Sequence, residues 1–112
     1  MINKITIIAV SEKGKELAER ISRYYDEVTI SRLAEVKKAF SCSDALIFIG
    51  ALGICVRSIA PYIQDKHTDP AVVCIDTTGK QVISVLSGHV GGANELTVSL
   101  ARLLSAEPVI TT

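Results

Sequence analysis

Eleven consecutive residues, Leu86-Ser87-Gly88-His89-Val90-Gly91-Gly92-Ala93-Asn94-Glu95-Leu96, hold the densest chemistry in the sequence. Three glycines within five positions free the backbone around a single histidine, directly ahead of a helical pattern in which Leu96, Leu100 and Leu103 recur. An imidazole titrates near neutral pH, so His89 is suited to take or give a proton, with Glu95 as its candidate catalytic companion. Gly88, Gly91 and Gly92 let backbone amides approach a ligand, and the unpaired N–H groups of a helix start can stabilise a developing oxyanion. Ser87 and Asn94 add polar groups to the same candidate binding surface. Asn94 and Glu95 fall off the leucine stripe and are expected to face solvent, ligand or another domain. In the plainer reading Glu95 only complements the positive end of the helix, and His89 is a polar loop residue.

A second candidate is Gly50-Ala51-Leu52-Gly53, a strand-to-helix turn whose helix start can hold a carboxylate or phosphate. Gly50 and Gly53 are its candidate binding residues, and Arg57, one turn further, is a candidate partner for an acidic ligand. The turn is not GxGxxG and no acidic residue follows at ribose-binding distance, so a nucleotide-binding α/β domain is the weakest functional alternative. Nucleophilic catalysis has little support: Ser87 lacks the GxSxG elbow and no cysteine neighbours an activating charge. Cys42, Cys55 and Cys74 lack CxxC spacing and read as small core residues. With His67 and His89 they form no metal-ligand pattern, so no protein-bound metal is expected. Asp65 and Asp69 flank His67 in what reads as a solvated loop.

These segments need a scaffold. Lys4–Val10 is a β-branched run followed by Ser11, a helix cap, and by Leu17, Ile21 and Tyr24 at helical spacing. Val28–Ile30, Ser31 as cap, and Leu33, Val36 and Phe40 repeat the theme. Ala45–Ile49 has the unbroken apolar character of a central parallel strand. Leu52, Val56, Ile59 and Ile63 share one stripe of a helix that Pro61 should end. Ala71–Asp76 and Gln81–Leu86 flank a Gly-containing turn and predict a hairpin. A helix from about Gly92 to Ser105 and a strand at Pro108–Thr112 complete a single domain over residues 1–112. The order predicts a three-layer α/β/α sandwich, its mostly parallel sheet carrying one antiparallel strand inserted by the hairpin. With Ala71–Asp76 as that strand, the loops Ser11–Gly14, Gly50–Gly53 and Ser87–Glu95 should open on one edge of the sheet.

Composition narrows the partners. Twelve Lys+Arg balance twelve Asp+Glu and aromatics are only 4% of the 112 residues, which argues against nucleic acid or an anionic membrane surface as partner. The apolar runs are far shorter than the ~20 residues of a membrane span, so the chain reads as cytoplasmic.

Two stretches carry a family resemblance. One is Ile47-Phe48-Ile49-Gly50-Ala51-Leu52-Gly53-Ile54 with Arg57, Ile59-Ala60-Pro61, Asp65-Lys66 and Thr68-Asp69-Pro70-Ala71-Val72-Val73. The other is the run from Val82 through the Ser-Gly-His-x-Gly-Gly-Ala-Asn-Glu-Leu motif to Leu96, with Pro108–Thr112. Together they resemble the N-terminal domain of the cobalt-precorrin-5A hydrolase family over residues 44–112, while residues 1–43 fit by general pattern.

The resemblance implies a part in anaerobic cobalamin biosynthesis: hydrolytic opening of the δ-lactone of cobalt-precorrin-5A, release of acetaldehyde, and formation of cobalt-precorrin-5B. It further implies a carboxylate-rich corrinoid as the small-molecule partner and no cofactor, because cobalt arrives in the substrate. Family members continue into a C-terminal domain, the expected protein partner. The competing expectation is a non-catalytic module that grips the corrinoid or docks a partner while another domain does the chemistry.

Overall fold

Runs of β-branched and aliphatic residues form strands that are covered on both faces. In the computed structural model, which describes residues 2–112, Ile5 through Ala9 of β1 (Lys4–Ala9), all of β3 (Ala45–Ile49) and all of β4 (Ala71–Ile75) are buried. The remaining strands are β2 (Glu27–Ser31), β5 (Gln81–Leu86) and β6 (Glu107–Val109). The helices are α1 (Glu12–Ser22), α2 (Val36–Cys42), α3 (Leu52–Ile59) and α4 (Ala93–Leu104), with short 3₁₀ turns at Leu33–Glu35 and Ala60–Tyr62. The six strands make one sheet in the order β2-β1-β3-β4-β5-β6.

Alternation along the strands divides the core in two. Ile5, Ile7, Ile47, Ile49, Val73 and Ile75 pack with Ile21 of α1 and Leu96, Leu100 and Leu104 of α4. Ile8, Leu46, Phe48, Val72 and Cys74 point the other way and pack with Phe40 of α2 and Cys55 and Ile59 of α3. The expected three-layer α/β/α sandwich is the observed fold. Full burial of one such aliphatic or aromatic side chain contributes about 1.5–3 kcal/mol, which makes the central strands the chief source of stability.

The antiparallel junction lies one strand later than expected. β4 runs parallel to β3, and the reversal falls between β4 and β5, so that β5 and β6 both oppose the other four strands. The cause is the span from Leu52 to Pro70. It contains a helix and a 3₁₀ turn, enough chain to return along the sheet as a parallel crossover. The tight turn at Asp76–Lys80, with Gly79 at φ +72°, then forces β5 backward. The Asp76 carboxylate fixes this turn by accepting from the N–H groups of Thr78, Lys80 and Gln81 and from the Thr78 hydroxyl.

Ser11 caps α1 as expected, its hydroxyl accepting from Gly14 N–H at 3.0 Å. Ser31 does not cap; it ends β2, and Glu35 reaches back to Arg32 N–H instead. Tyr24 and Cys42 are exposed rather than core, because α1 turns Ala18 and Ile21 inward and α2 turns Ala39 and Phe40 inward. On α3 the buried pair is Cys55 and Ile59; Leu52, Val56 and Ile63 of the expected stripe are exposed, at 41, 44 and 44%. α4 buries Leu104, while Leu103 is half-buried. No helix of the described residues is long and apolar enough to cross a membrane.

Candidate functional site

Reversal at β5 separates the two sequence candidates. Ser11–Gly14 and Gly50–Gly53 follow parallel strands and share the carboxyl edge. The Ser87–Glu95 loop follows β5 and lies at the opposite edge, where Leu86 pairs with Val72 at the start of β4. A five-residue strand lies between them, roughly 16 Å at ~3.3 Å per residue. The expectation that all three loops line one edge is therefore corrected: Gly50, Gly53 and Arg57 do not meet Ser87, Gly88, His89, Gly91, Gly92, Asn94 and Glu95.

At the carboxyl edge the Gly50 turn is tied to the sheet. Its N–H donates to the Ile75 carbonyl at 3.0 Å, and its carbonyl accepts from the Cys74 thiol at 3.4 Å. Gly53 is open, with nothing within 4 Å of where a Cβ would stand. Arg57 is exposed and joins no ion pair among the described residues. Below the turn Cys55 and Cys74 are buried together; hydrogen bonding to Cys74, then burial, pushes the Cys55 thiol up. It stays protonated and is unsuited to nucleophilic work.

At the amino edge the glycine-rich loop folds onto itself. Ser87 takes a left-handed φ of 58° and is buried, its hydroxyl donating to the Asp69 carbonyl at 3.4 Å. Asp69 is itself buried and caps the preceding turn by accepting from Gln64 and Asp65 N–H groups, so this end of the expected solvated loop is ordered structure. The first amides of α4 turn inward as well: Ala93 N–H donates to Ser87 O at 3.1 Å and Asn94 N–H to Gly88 O at 3.0 Å.

Asn94, expected to face solvent, ligand or another domain, is taken up within the fold. Its Oδ1 accepts from Ser84 Oγ at 2.7 Å and its Nδ2 donates to the Thr112 carbonyl at 3.0 Å. The glycines serve this closure. A Cβ on Gly88 would stand 2.8 Å from Asn94 Oδ1, and one on Gly91 would stand 2.5 Å from Ser87 Cβ and 2.9 Å from Ser87 O. Gly92, at φ +88°, starts α4 in the left-handed region that glycine favours.

His89 and Glu95 remain exposed. Both line a cleft of ≈ 540 Å³ with Ile2, Ile5, Tyr25, Val90, Gly91, Gly92, Leu96 and Ser99. The Tyr25 hydroxyl lies 3.1 Å from Ser99 Oγ, joining the chain after α1 to α4, and His89 Nε2 lies 3.3 Å from Thr112 Oγ1. The imidazole thus stands in an open cleft on a closed loop. Ile2, Tyr25, Ser84, Ser99 and Thr112 were not visible as site residues in the sequence. The first two would have followed from the direction of β5, which sets the loop beside the start of β1. Among the described residues no three His, Cys, Asp or Glu side chains cluster to hold a metal ion.

The sequence model of one family, described as Cobalamin synthesis G N-terminal, matches residues 34–112. A protein of Salmonella typhimurium named Cobalt-precorrin-5A hydrolase is 62% identical over 76 residues, covering 68% of this chain and 22% of that protein. One of the same name from Priestia megaterium is 40% identical over 127 aligned positions, covering 95% of this chain and 34% of that protein. A crystal structure of a cobalamin biosynthesis protein G homolog from Sulfolobus solfataricus superposes with a TM-score of 0.87 at 33% identity, covering 99% of this chain and 37% of that one. This chain spans about a third or less of the length of these relatives. The family match takes in the Gly50 turn, the His89 loop and well over half of the residues, and by it the chain belongs to the Cobalamin synthesis G N-terminal family.

Proposed function

We propose that this chain forms the N-terminal part of a cobalt-precorrin-5A hydrolase and that its amino-edge cleft takes part in opening the substrate δ-lactone. The observation that carries the reading is the closure of the loop. Ser87 and Asn94 are engaged inside the fold, whereas His89 and Glu95 stay exposed in one cleft.

In this reading His89 withdraws a proton from water as it adds to the lactone carbonyl, and the ring acyl C–O bond breaks to give a carboxylate and an alkoxide. As the alkoxide carbon becomes a carbonyl, the adjoining C–C bond breaks and acetaldehyde departs; the electron pair left on the macrocycle side is protonated. Glu95 is the second titratable group within the cleft for these transfers. Cobalt is carried by the corrinoid, and the chain needs no cofactor of its own. The backbone amides of Gly88, Gly91 and Gly92 are the candidate donors for an oxyanion. Gly50, Gly53 and Arg57, at the far edge, would contact the substrate only if a second domain folded it around the sheet. The reading places the reaction in the cytoplasm and makes the C-terminal domain the partner that completes the site.

A second reading, a corrinoid-gripping or docking module without chemistry, is favoured by the distance between the two edges and by the inward turn of the Ala93 and Asn94 amides. Acetaldehyde release from cobalt-precorrin-5A separates them. The complete hydrolase should turn over and lose about 10²–10⁴-fold with His89→Ala, the usual contribution of a general base. Full activity in that variant would refute the catalytic role, and corrinoid binding without turnover dependence would establish the module.

A further inference from the structure

We infer that the outer face of α3 is the surface on which the remainder of the hydrolase packs, through apolar side chains and a carboxylate set against Arg57. This rests on the reading of the chain as the N-terminal part of a longer protein, not on the chemistry assigned to the His89 cleft.

The helices differ in what they show to solvent. Six of the eleven residues of α1 are charged, Glu12, Lys13, Lys15, Glu16, Glu19 and Arg20, as suits a surface that meets water. α3 has one charged residue in eight, Arg57. With Cys55 and Ile59 buried, ~100° per residue sets Arg57 at the middle of the outer face, with Ile54 on one flank and Gly53, Val56 and then Leu52 on the other. Leu52, Ile54 and Val56 are all exposed. Even Ser58 is turned back on the helix, its hydroxyl donating to Ile54 O at 2.6 Å. Val10, also exposed, continues the apolar surface to the Gly50 turn, its Cγ2 lying 3.3 Å from where a Cβ on Gly50 would stand. An exposed apolar patch with an arginine at its centre and no lysine or acid has the composition of an interface core.

Length and charge point to the occupant. In a protein of the relatives' length about two thirds of the residues lie outside this chain. The molecule measures 30 × 29 × 28 Å, a distance that about ten extended residues cross at ~3.3 Å each, so α3 is within reach of a segment continuing from Thr112 beside His89. A second copy of the chain fits worse. A two-fold contact through α3 would set two Arg57 guanidinium groups against each other, and α3 carries no carboxylate to meet them.

Maleimide labelling, read by peptide mapping, compares Leu52→Cys, Ile54→Cys and, on the outer face of α1, Glu16→Cys, each in the 112-residue chain and in the complete hydrolase. All three should react freely in the chain. In the complete protein Leu52→Cys and Ile54→Cys should slow about 10-fold or more, because modification then waits on opening of the contact, while Glu16→Cys keeps its rate. Either flank decides the matter if the variant on the other fails to fold. Arg57→Glu should return much of the lost rate and Arg57→Lys should not; indifference to Arg57→Glu overturns the pairing with a carboxylate. Equal rates at residues 52 and 54 in the two proteins, or equal slowing at residue 16, overturn the proposal. So do protection that appears only when cobalt-precorrin-5A is added and slow labelling of the chain alone that deepens with its concentration, the mark of a second copy. Protection without acetaldehyde release leaves the interface standing and refutes the lactone reading.

Discussion

Gly91→Ala tests whether the His89 loop is closed as described. The added Cβ would stand 2.5 Å from Ser87 Cβ and 2.9 Å from Ser87 O. Neither atom is the far end of a flexible side chain. Ser87 is already in the left-handed region and is buried beneath the loop, so relief requires the backbone of residues 87–92 to move. Overpacking of this kind costs about 1–3 kcal/mol. At roughly 4 °C per kcal/mol for a domain of this length, the melting temperature should fall by about 4–12 °C. Gly53→Ala is the matched control. Its Cβ meets nothing within 4 Å, and the change removes a glycine from the first turn of α3, so stability should rise by up to ~1 kcal/mol. Urea unfolding monitored by far-UV circular dichroism measures both. A Gly91→Ala chain within about 0.5 kcal/mol of wild type, or a loss for Gly53→Ala as large as for Gly91→Ala, would refute the packing argument.

Ile59→Ala should cost about 2–5 kcal/mol because the side chain is 1% exposed, whereas Val56→Ala, at 44% exposure, should stay within about 0.5 kcal/mol; equal losses in denaturant titration would return Val56 to the core stripe. Asp44 is held below its ordinary 3.8 by hydrogen bonds from the backbone of Lys4 and Asn3. Burial alone would raise Asp76, but the Thr78 hydroxyl and the N–H groups of Gln81, Lys80 and Thr78 outweigh it and lower it too. Both folded values lie below the unfolded ones, so their stabilisation is complete well above 3.8 and is lost as pH falls through the folded values. Asp76→Asn should therefore flatten the acid limb of urea midpoints measured from neutral pH downward, and an unchanged limb would contradict the linkage. His89→Ala should leave the unfolding free energy of this chain, measured in urea, within about 0.5 kcal/mol of wild type, since the imidazole is exposed; a large loss would give His89 a structural role.

Much of the architecture was legible because the two central strands β3 and β4 carry no polar interruption. Ala45–Ile49 and the apolar part of Ala71–Asp76 announce strands covered on both sides, and Ser11 ahead of Leu17 and Ile21 at helical spacing announces a helix start. The direction of β4 was harder. A turn containing Gly marks a hairpin but not which of its strands opposes the sheet, and that is decided by whether Leu52–Pro70 spans the sheet on its return. α3 was misread for a related reason. Leu52, Ile54, Cys55, Val56 and Ile59 are apolar nearly all around the helix, so its periodicity does not choose a face, and the small Cys55 wins because it allows close approach to Phe48 and Cys74. Within the site, the histidine and its glycines stood out by type and spacing. The fate of Asn94 did not, because its partner Thr112 is 18 residues away and is brought there only by the reversed β5 and its neighbour β6.

The roughly 16 Å that the reversal of β5 sets between the Gly50 turn and the His89 loop turns into a statement about coupling. Substitutions separated by more than about 7–10 Å without shared partners combine additively, within about 0.3–0.5 kcal/mol. A double-mutant cycle between Gly53→Ala and His89→Ala on this chain should therefore close to zero in unfolding free energy. The same cycle read from catalysis in the complete hydrolase has no such obligation. Any interaction energy appearing there and absent from stability would have to pass through something touching both edges at once, the substrate or the rest of the protein. The cycle thereby measures, without a structure of the complex, whether the two motifs act on one molecule.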